Sequence, residues 1–303
     1  MSKSKFKMIK IIDLKFLGKP STIAAFLTET ESGPVLLETG PYSTFSNLEA
    51  GLSEHGYQPS DIRHVLLTHI HLDHAGAAWA LAEAGATIYL HPVGRAHMHD
   101  PSKLMASAGR IYGDDMERLW STMKGIPERQ LVTVEHGEKL DIGGASITAW
   151  HTPGHAIHHI AWQVGTSLIA GDVAGVKIGG APVVPPCPPP DIHVEDWQRS
   201  LNFIRELALD EVFLTHFGRV AGPAIPLHLE ELERELIAWA EWMKPHYEKG
   251  HDPKRVTPQF MQWVQGRLKD KGVEASQLEL YENANPSWMS VAGLLRYWRK
   301  RQG

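Results

Sequence analysis

The sequence predicts an α/β chain that ends in an all-helical extension. Short apolar runs rich in β-branched residues alternate with helix-period segments as far as about residue 222; glycine and proline turns separate them; and from Pro226 onward only helical periodicity remains. A length of 303 residues with 43% hydrophobic content is enough to bury a large core.

The elements follow in order. I-K-I-I-D-L (Ile9 to Leu14), A-A-F-L-T-E (Ala24 to Glu29) and P-V-L-L-E-T (Pro34 to Thr39) read as strands, with E-S-G at Glu31 to Gly33 as a hairpin turn. Ile62 to Leu67 reads as a buried strand ending at Thr68, and Ala75 to Ala84 as a helix. This first region runs to about residue 125. A second repeats the pattern to about residue 222, with D-I-G-G at Asp141 to Gly144 as its hairpin and strands at Ala145 to Trp150, before Asp172 and before His216. Residues 1–225 are therefore read as the main body.

Residues 226–303 are read as a helical extension packed on that body. Leu229, Leu232, Leu236, Trp239 and Met243 recur at three- and four-residue steps, as do Trp288, Val291, Leu294 and Trp298, and Asn285-Pro286 marks a helix start. These stripes are read as core contacts, with a lid over the functional site as the alternative. Arg296, Arg299, Lys300 and Arg301 are read as a solvated helix end rather than an anion site.

Thr68 to Gly76, T-H-I-H-L-D-H-A-G, places three imidazoles and a carboxylate within six positions on a strand-to-helix turn. In an extended backbone His69 and His71 face one way, and Asp73 and His74 follow where the chain bends. Imidazole nitrogen with carboxylate oxygen suits zinc, manganese or iron, whereas calcium and magnesium take oxygen shells. Three further groups end predicted strands: His155 in H-T-P-G-H, Asp172 in S-L-I-A-G-D, and His216 in E-V-F-L-T-H.

In this order the motifs H-x-H-x-D-H, His, Asp, His resemble those of the metallo-β-lactamase-fold superfamily over roughly residues 8–220. The resemblance implies a four-layer αββα sandwich. It also implies two divalent metal ions, zinc before manganese or iron, sharing a bridging water: His69, His71 and His155 at the first, Asp73, His74 and His216 at the second, and Asp172 between them. Glu38 stands where relatives usually carry an Asp supporting the ligands. His158 and Lys177 are read as substrate contacts, and His159 as a neighbour of substrate or ligands.

The remaining readings are exclusions. A net charge of −5 gives no basic field for nucleic acid, and no stretch is long and apolar enough to span a membrane. M-S-K-S-K-F-K-M-I-K lacks a secretory hydrophobic core, and one cysteine, Cys187, precludes an intramolecular disulfide; both fit a cytoplasmic protein. Cys187 is read as structural, and Pro182 to Pro190 as a stiff loop bordering the site. His91, His97 and His99 lack a carboxylate at suitable spacing and are read as surface solvation.

The resemblance implies hydrolysis, with Asp73 orienting the attacking water or relaying its proton. The expected bond is a thioester or lactone of a small metabolite. Gly175 stands where related lactonases often carry Tyr, and T-H-F-G departs from hydroxyacylglutathione hydrolases. The alternative is a persulfide dioxygenase-like oxidoreductase with one iron. Expected partners are a small-molecule substrate and at most a second copy in a homodimer.

Overall fold

The computed structural model describes residues 8–302, for Gln302 the backbone alone. The N-terminal segment read above as lacking a secretory core falls mostly on residues 1–7, outside the described residues. Among the described residues two six-stranded sheets face each other. The first runs in spatial order β1 (Lys10–Asp13), β2 (Ala24–Thr30), β3 (Gly33–Leu37), β4 (His64–Leu66), β5 (Thr87–Leu90) and β6 (Leu131–Thr133). Its β1-β2-β3 meander is antiparallel and its β3-β4-β5-β6 half is parallel.

The second sheet contains β7 (Lys139–Ile142), β8 (Ala145–His151), β9 (Ile160–Val164), β10 (Ser167–Ile169), β11 (Glu211–Leu214) and β12 (Gly218–Ala221). It is antiparallel except for the β10-β11 pair. The first sheet thus extends past residue 125 to β6, because Ile88, Tyr89 and Leu90 pair with Leu131, Val132 and Thr133.

The two-residue period of the strands sorts side chains into layers. Phe26, Val35, Leu37 and Leu66 point inward to meet Ile147, Trp162, Ile169 and Phe213 of the second sheet. Their neighbours Leu27, Leu36, Val65 and Leu67 point outward beneath helices α1 (Phe45–Glu54), α2 (Leu72–Ala75), α3 (Ala78–Glu83), α4 (Arg95–His99), α5 (Ser102–Tyr112) and α6 (Met116–Leu119).

Leu168, Val212 and Leu214 face the other way, under α7 (Val194–Glu206), α8 (Ala224–Glu248), α9 (Pro253–Asp270), α10 (Ala275–Ala284) and α11 (Ser287–Gln302). The result is the four-layer αββα order. Leu229, Leu232, Leu236, Trp239 and Met243 of α8 and Val291, Leu294 and Trp298 of α11 are all buried in the cluster that also covers the second sheet. No helix among the described residues is long and apolar enough to cross a membrane.

Candidate metal centre

The donor-bearing loops converge where both sheets end. The Thr68 to His74 turn leaves β4 with Thr68 N–H donating to Glu38 Oε1 at 2.9 Å, and Ile160 N–H of the opposite sheet donates to Thr68 O at 2.7 Å. His71 is extended and caps α2. The helix expected over Ala75 to Ala84 is instead two short ones. Ala77 N–H is drawn to Gly40 O at 2.9 Å, and a Cβ at Gly76 would lie 2.4 Å from Leu72 O.

Glycines set two other loops. Gly154, at φ +136°, lets the His151 to His155 turn lie on α7, since a Cβ there would come within 2.3 Å of Trp197 Cα. Gly171, at φ +51°, brings Asp172 against the first sheet, since its Cβ would meet Thr68 Oγ1 at 2.6 Å.

The seven donors form overlapping groups whose ligand atoms lie within 4.8 Å of one another: His69, His71 and His155; His69, His74 and Asp172; Asp73, His74 and His216. Asp172 divides its oxygens between them. Oδ2 lies 3.3 Å from His155 Nε2, while Oδ1 lies 3.3 Å from His74 Nε2 and 3.5 Å from His216 Nε2. Asp73 Oδ2 is 3.3 Å from His216 Nε2 and 3.7 Å from His74 Nε2.

Outer partners fix how the rings present themselves. His155 Nδ1 donates to Pro186 O at 2.9 Å, His216 Nδ1 to Thr22 O at 2.8 Å, and His74 Nδ1 to the Glu38 carboxylate at 2.7 Å. Carbonyl and carboxylate oxygens only accept, so these Nδ1 atoms carry hydrogen and each Nε2 points inward. His69 Nδ1 lies 3.0 Å from Thr68 Oγ1. Asp172 N–H donates to His159 Nε2 at 3.2 Å, and that ring's Nδ1 meets Thr152 Oγ1 at 2.8 Å. Oxygens bonded to the outer ring nitrogen both orient a metal-binding imidazole and raise its basicity.

This arrangement fits cations. His69 Nε2 and His155 Nε2 approach His71 Nδ1 to 2.9 and 3.1 Å, a convergence of imidazole lone pairs. Among the described residues, buried His74 Nε2 and Asp172 Oδ1 have no hydrogen-bond partner. Burial, then neighbouring imidazoles, hold His69 and His71 well below the usual histidine range, so both rings are neutral and keep a lone pair free to bind a cation. Burial also opposes charge on His74 and His216, but Asp172 and Asp73 outweigh it and raise both. Burial raises the Asp73 and Asp172 carboxyls, while His74 and His216 pull them lower still, leaving both ionised.

The substrate contacts read from sequence stand elsewhere. Lys177 donates its ammonium to Ala181 O at 2.8 Å in the loop after Asp172 and is not among the residues lining the cavity over the donors. His158 lies behind the donors, buried, with its ring 6.1 Å from His69 and 5.7 Å from His71, and is also absent from the cavity wall. His91 packs on His151 at 4.2 Å, and His91, His97 and His99 join none of the potential metal groups among the described residues. Cys187 is buried and unpaired.

Sequence reasoning missed Thr22 and Pro186, because backbone carbonyls leave no side-chain signature. Over the donors lies a cavity of about 580 Å³ whose floor is His71, Asp73, Asp172 and His216, bordered by the proline loop as read from sequence. Its walls come from α5, α6, the Pro186 to Pro190 loop and the α10-α11 junction. That volume is typical of small-molecule sites.

The family model of the metallo-beta-lactamase superfamily matches residues 18–216, more than half of the chain. The metallo-beta-lactamase fold-containing protein ST1585 of Sulfurisphaera tokodaii is 31% identical over 178 residues, 56% of this chain and 66% of that one. An uncharacterized protein of Mycobacterium tuberculosis, Rv2581c, is 33% identical over 105 residues, 33% of this chain and 42% of that one. The chain thus spans just under two thirds of the archaeal relative and about two fifths of the mycobacterial one.

Among solved structures, the archaeal ST1585 from Sulfolobus tokodaii superposes with a TM-score of 0.61 at 26% identity, covering 74% of this chain and 85% of that one. A metallo-beta-lactamase family protein of Thermus thermophilus superposes with a TM-score of 0.66 at 20% identity, covering 97% and 94%, a likeness of fold that takes in the C-terminal helices. The family match, the four layers and the His/Asp cluster agree: this chain belongs to the metallo-beta-lactamase superfamily.

Proposed function

We propose that the protein is a dinuclear metallo-hydrolase cleaving an ester-type bond, a thioester or lactone, in a small metabolite. The observation that carries this reading is the division of Asp172, one carboxylate oxygen toward His155 and the other toward His74 and His216, with complete donor sets on both sides. His69, His71 and His155 would hold one divalent cation and Asp73, His74 and His216 the other, with Asp172 common to both; the imidazole and carboxylate donors favour zinc. Such a pair, when bound, supplies a hydroxide at neutral pH and a Lewis acid for the carbonyl.

The protein's own groups do the rest. Asp73 is the more open of the two donor carboxylates, with 22% side-chain exposure against 4% for Asp172, and lines the cavity floor, where it orients the attacking water and takes up its proton. Glu38, Pro186 and Thr22 keep three imidazoles aimed inward, so little reorganisation accompanies reaction. α11 and the proline loop supply apolar walls beside the donors. The single, buried Cys187 supports a cytoplasmic setting.

The test is acid release in a pH-stat across lactones, thioesters, carboxylic esters and β-lactams, with and without chelator, alongside elemental analysis. Chelator-sensitive release with two metals per chain is expected. One iron per chain with oxygen uptake and no acid release would replace hydrolysis by the oxidative alternative.

A further inference from the structure

The wall opposite the donors is built for an uncharged guest. Phe16 stacks on Trp120 at 5.6 Å, Tyr112 meets Trp120 at 5.1 Å, and Trp288 of α11 meets Tyr112 at 5.6 Å, an aromatic sheet joining the two sides of the cavity. Ile111 and Trp288 remain 41% and 37% exposed at this cavity, among the few large apolar side chains left so open. Apolar surface of this kind around a cleft is the mark of a ligand site.

Charge points the same way. Arg118 is the only arginine or lysine among the described lining residues, and Asp115, also in the wall, takes its guanidinium at 3.0 and 3.1 Å; His216 on the floor lies against Asp73 at 3.3 Å. The other charged wall group, Glu282, is occupied by Ser287 N–H and hydroxyl at 2.8 and 2.7 Å. The cations at the end of α11 are not among the lining residues and are engaged: Arg296 and Lys300 donate to Pro190 O on the proline loop, and Arg301 pairs with Glu195. No unpaired cation among the described lining residues awaits an anionic tail. Among the polar groups of the wall, the Tyr112 hydroxyl is nearly unused, its hydrogen-bond contact being Met289 Sδ at 4.0 Å.

We propose that the substrate carries a neutral, apolar acyl chain or ring that fills this aromatic cavity, and that acyl groups ending in a carboxylate or phosphate are rejected. This rests on the hydrolase reading for its turnover but not for its binding. Each buried methylene contributes about fourfold to binding, so kcat/KM is expected to rise on the order of 100-fold between butyryl and octanoyl esters with a common leaving group.

The experiment has two arms. In the first, straight-chain acyl esters and their ω-carboxylate counterparts of equal length are compared on metal-loaded protein, wild type and Ile111→Lys. Chelator-sensitive rates should climb with neutral chain length, and the ω-carboxylates should fall at least tenfold below their partners. Ile111→Lys should narrow that gap by placing an unpaired cation at the wall. In the second arm, calorimetry on metal-free protein compares octanamide with the amide of equal length ending in a carboxylate; only octanamide should bind. A flat chain-length profile, or preference for the ω-carboxylates in either arm, overturns the proposal. Chain-selective binding without turnover keeps the cavity assignment and overturns the hydrolase.

Discussion

Gly293→Ala separates two physical effects of opposite sign. Gly293 lies within α11, where alanine normally stabilises a helix by about 1 kcal/mol. Here, however, the added Cβ would lie 2.0 Å from Cys187 O and 2.8 Å from Pro188 C, against an ordinary contact limit near 3.4 Å. The obstacle is backbone, so no rotamer relieves it; helix or proline loop must yield by roughly 1.4 Å, the difference between that limit and the closest contact. Overpacking of this kind costs about 1–3 kcal/mol. Its upper part applies against backbone, leaving a net loss of about 2 kcal/mol and an unfolding midpoint lower by roughly 3 °C. Pro186, next to Cys187, accepts the His155 hydrogen bond at 2.9 Å, and a shift of an ångström breaks it. Loss of such a partner weakens metal binding about 10–100-fold. The assay is thermal unfolding together with metal competition against a chromogenic chelator. The control is Gly266→Ala in α9, where nothing lies within 4 Å and stabilisation is expected. If Gly293→Ala behaves like Gly266→Ala, the close approach is not rigid; if it is destabilised with unaltered metal affinity, the proline loop does not support His155.

Three further outcomes are expected. Asp172→Ala should lower metal content below two per chain and abolish chelator-sensitive turnover, because both oxygens face donor sets; full loading by elemental analysis would remove Asp172 from between the metals. Glu38→Gln keeps an acceptor for Thr68 N–H but removes the charge that pairs with His74 Nδ1, so affinity at the Asp73, His74 and His216 site should fall about 10–100-fold. His228, buried in α8 and donating to Ala174 O, is lowered to about 4 by burial. Its folded pKa lies below the unfolded value near 6.5, so the unfolded chain binds the proton first and stability is lost as pH falls from 6.5 toward 4. Between pH 7 and 5 the wild type should lose about 2 kcal/mol more than His228→Gln in urea unfolding, and parallel losses would refute the assignment.

The sequence made the donors legible because side-chain type and spacing encode them: His69, His71, Asp73 and His74 lie on one turn, and His155, Asp172 and His216 each follow a strand. The strand P-V-L-L-E-T was legible as a strand, but its continuous apolar run did not say which way each side chain faces; the structure puts Leu36 and Leu37 in opposite layers. What stayed hidden depends on distant backbone. Thr22 supports His216 from 194 positions away through a carbonyl, and the Ala75 to Ala84 helix breaks because Ala77 N–H bonds Gly40 O. The proline loop beside the site was legible, but the part of the wall that joins α5 to α11 was hidden, because Tyr112 and Trp288 carry no mark of their ring contact. Lys177, read as a substrate contact, has its ammonium on Ala181 O across the turn at Ile178 to Gly180.

The C-terminal helices are part of the donor architecture, through the loop they hold. Cys187 N–H donates to Ser290 Oγ at 3.4 Å, Asn285 Nδ2 to Pro185 O at 3.1 Å, and Tyr281 OH to Pro182 O, so α10, α11 and the junction between them pin the proline loop along its length. Prolines lack N–H groups and cannot be secured from their own nitrogens, so a Pro-rich loop is held by its carbonyls and by the few residues between. Pro182 O and Pro185 O accept from the helical side, whereas Pro186 O turns to His155. The same α10-α11 junction supplies Trp288 and Met289 to the cavity wall. One stretch of chain therefore sets both the aim of an imidazole and the shape of the space above it. A deletion of the extension would remove both together and strip the cover from Leu168, Val212 and Leu214. Point substitutions at Gly293 and Trp288 are the changes that separate ligand support from substrate fit, because one touches the loop backbone and the other the cavity wall.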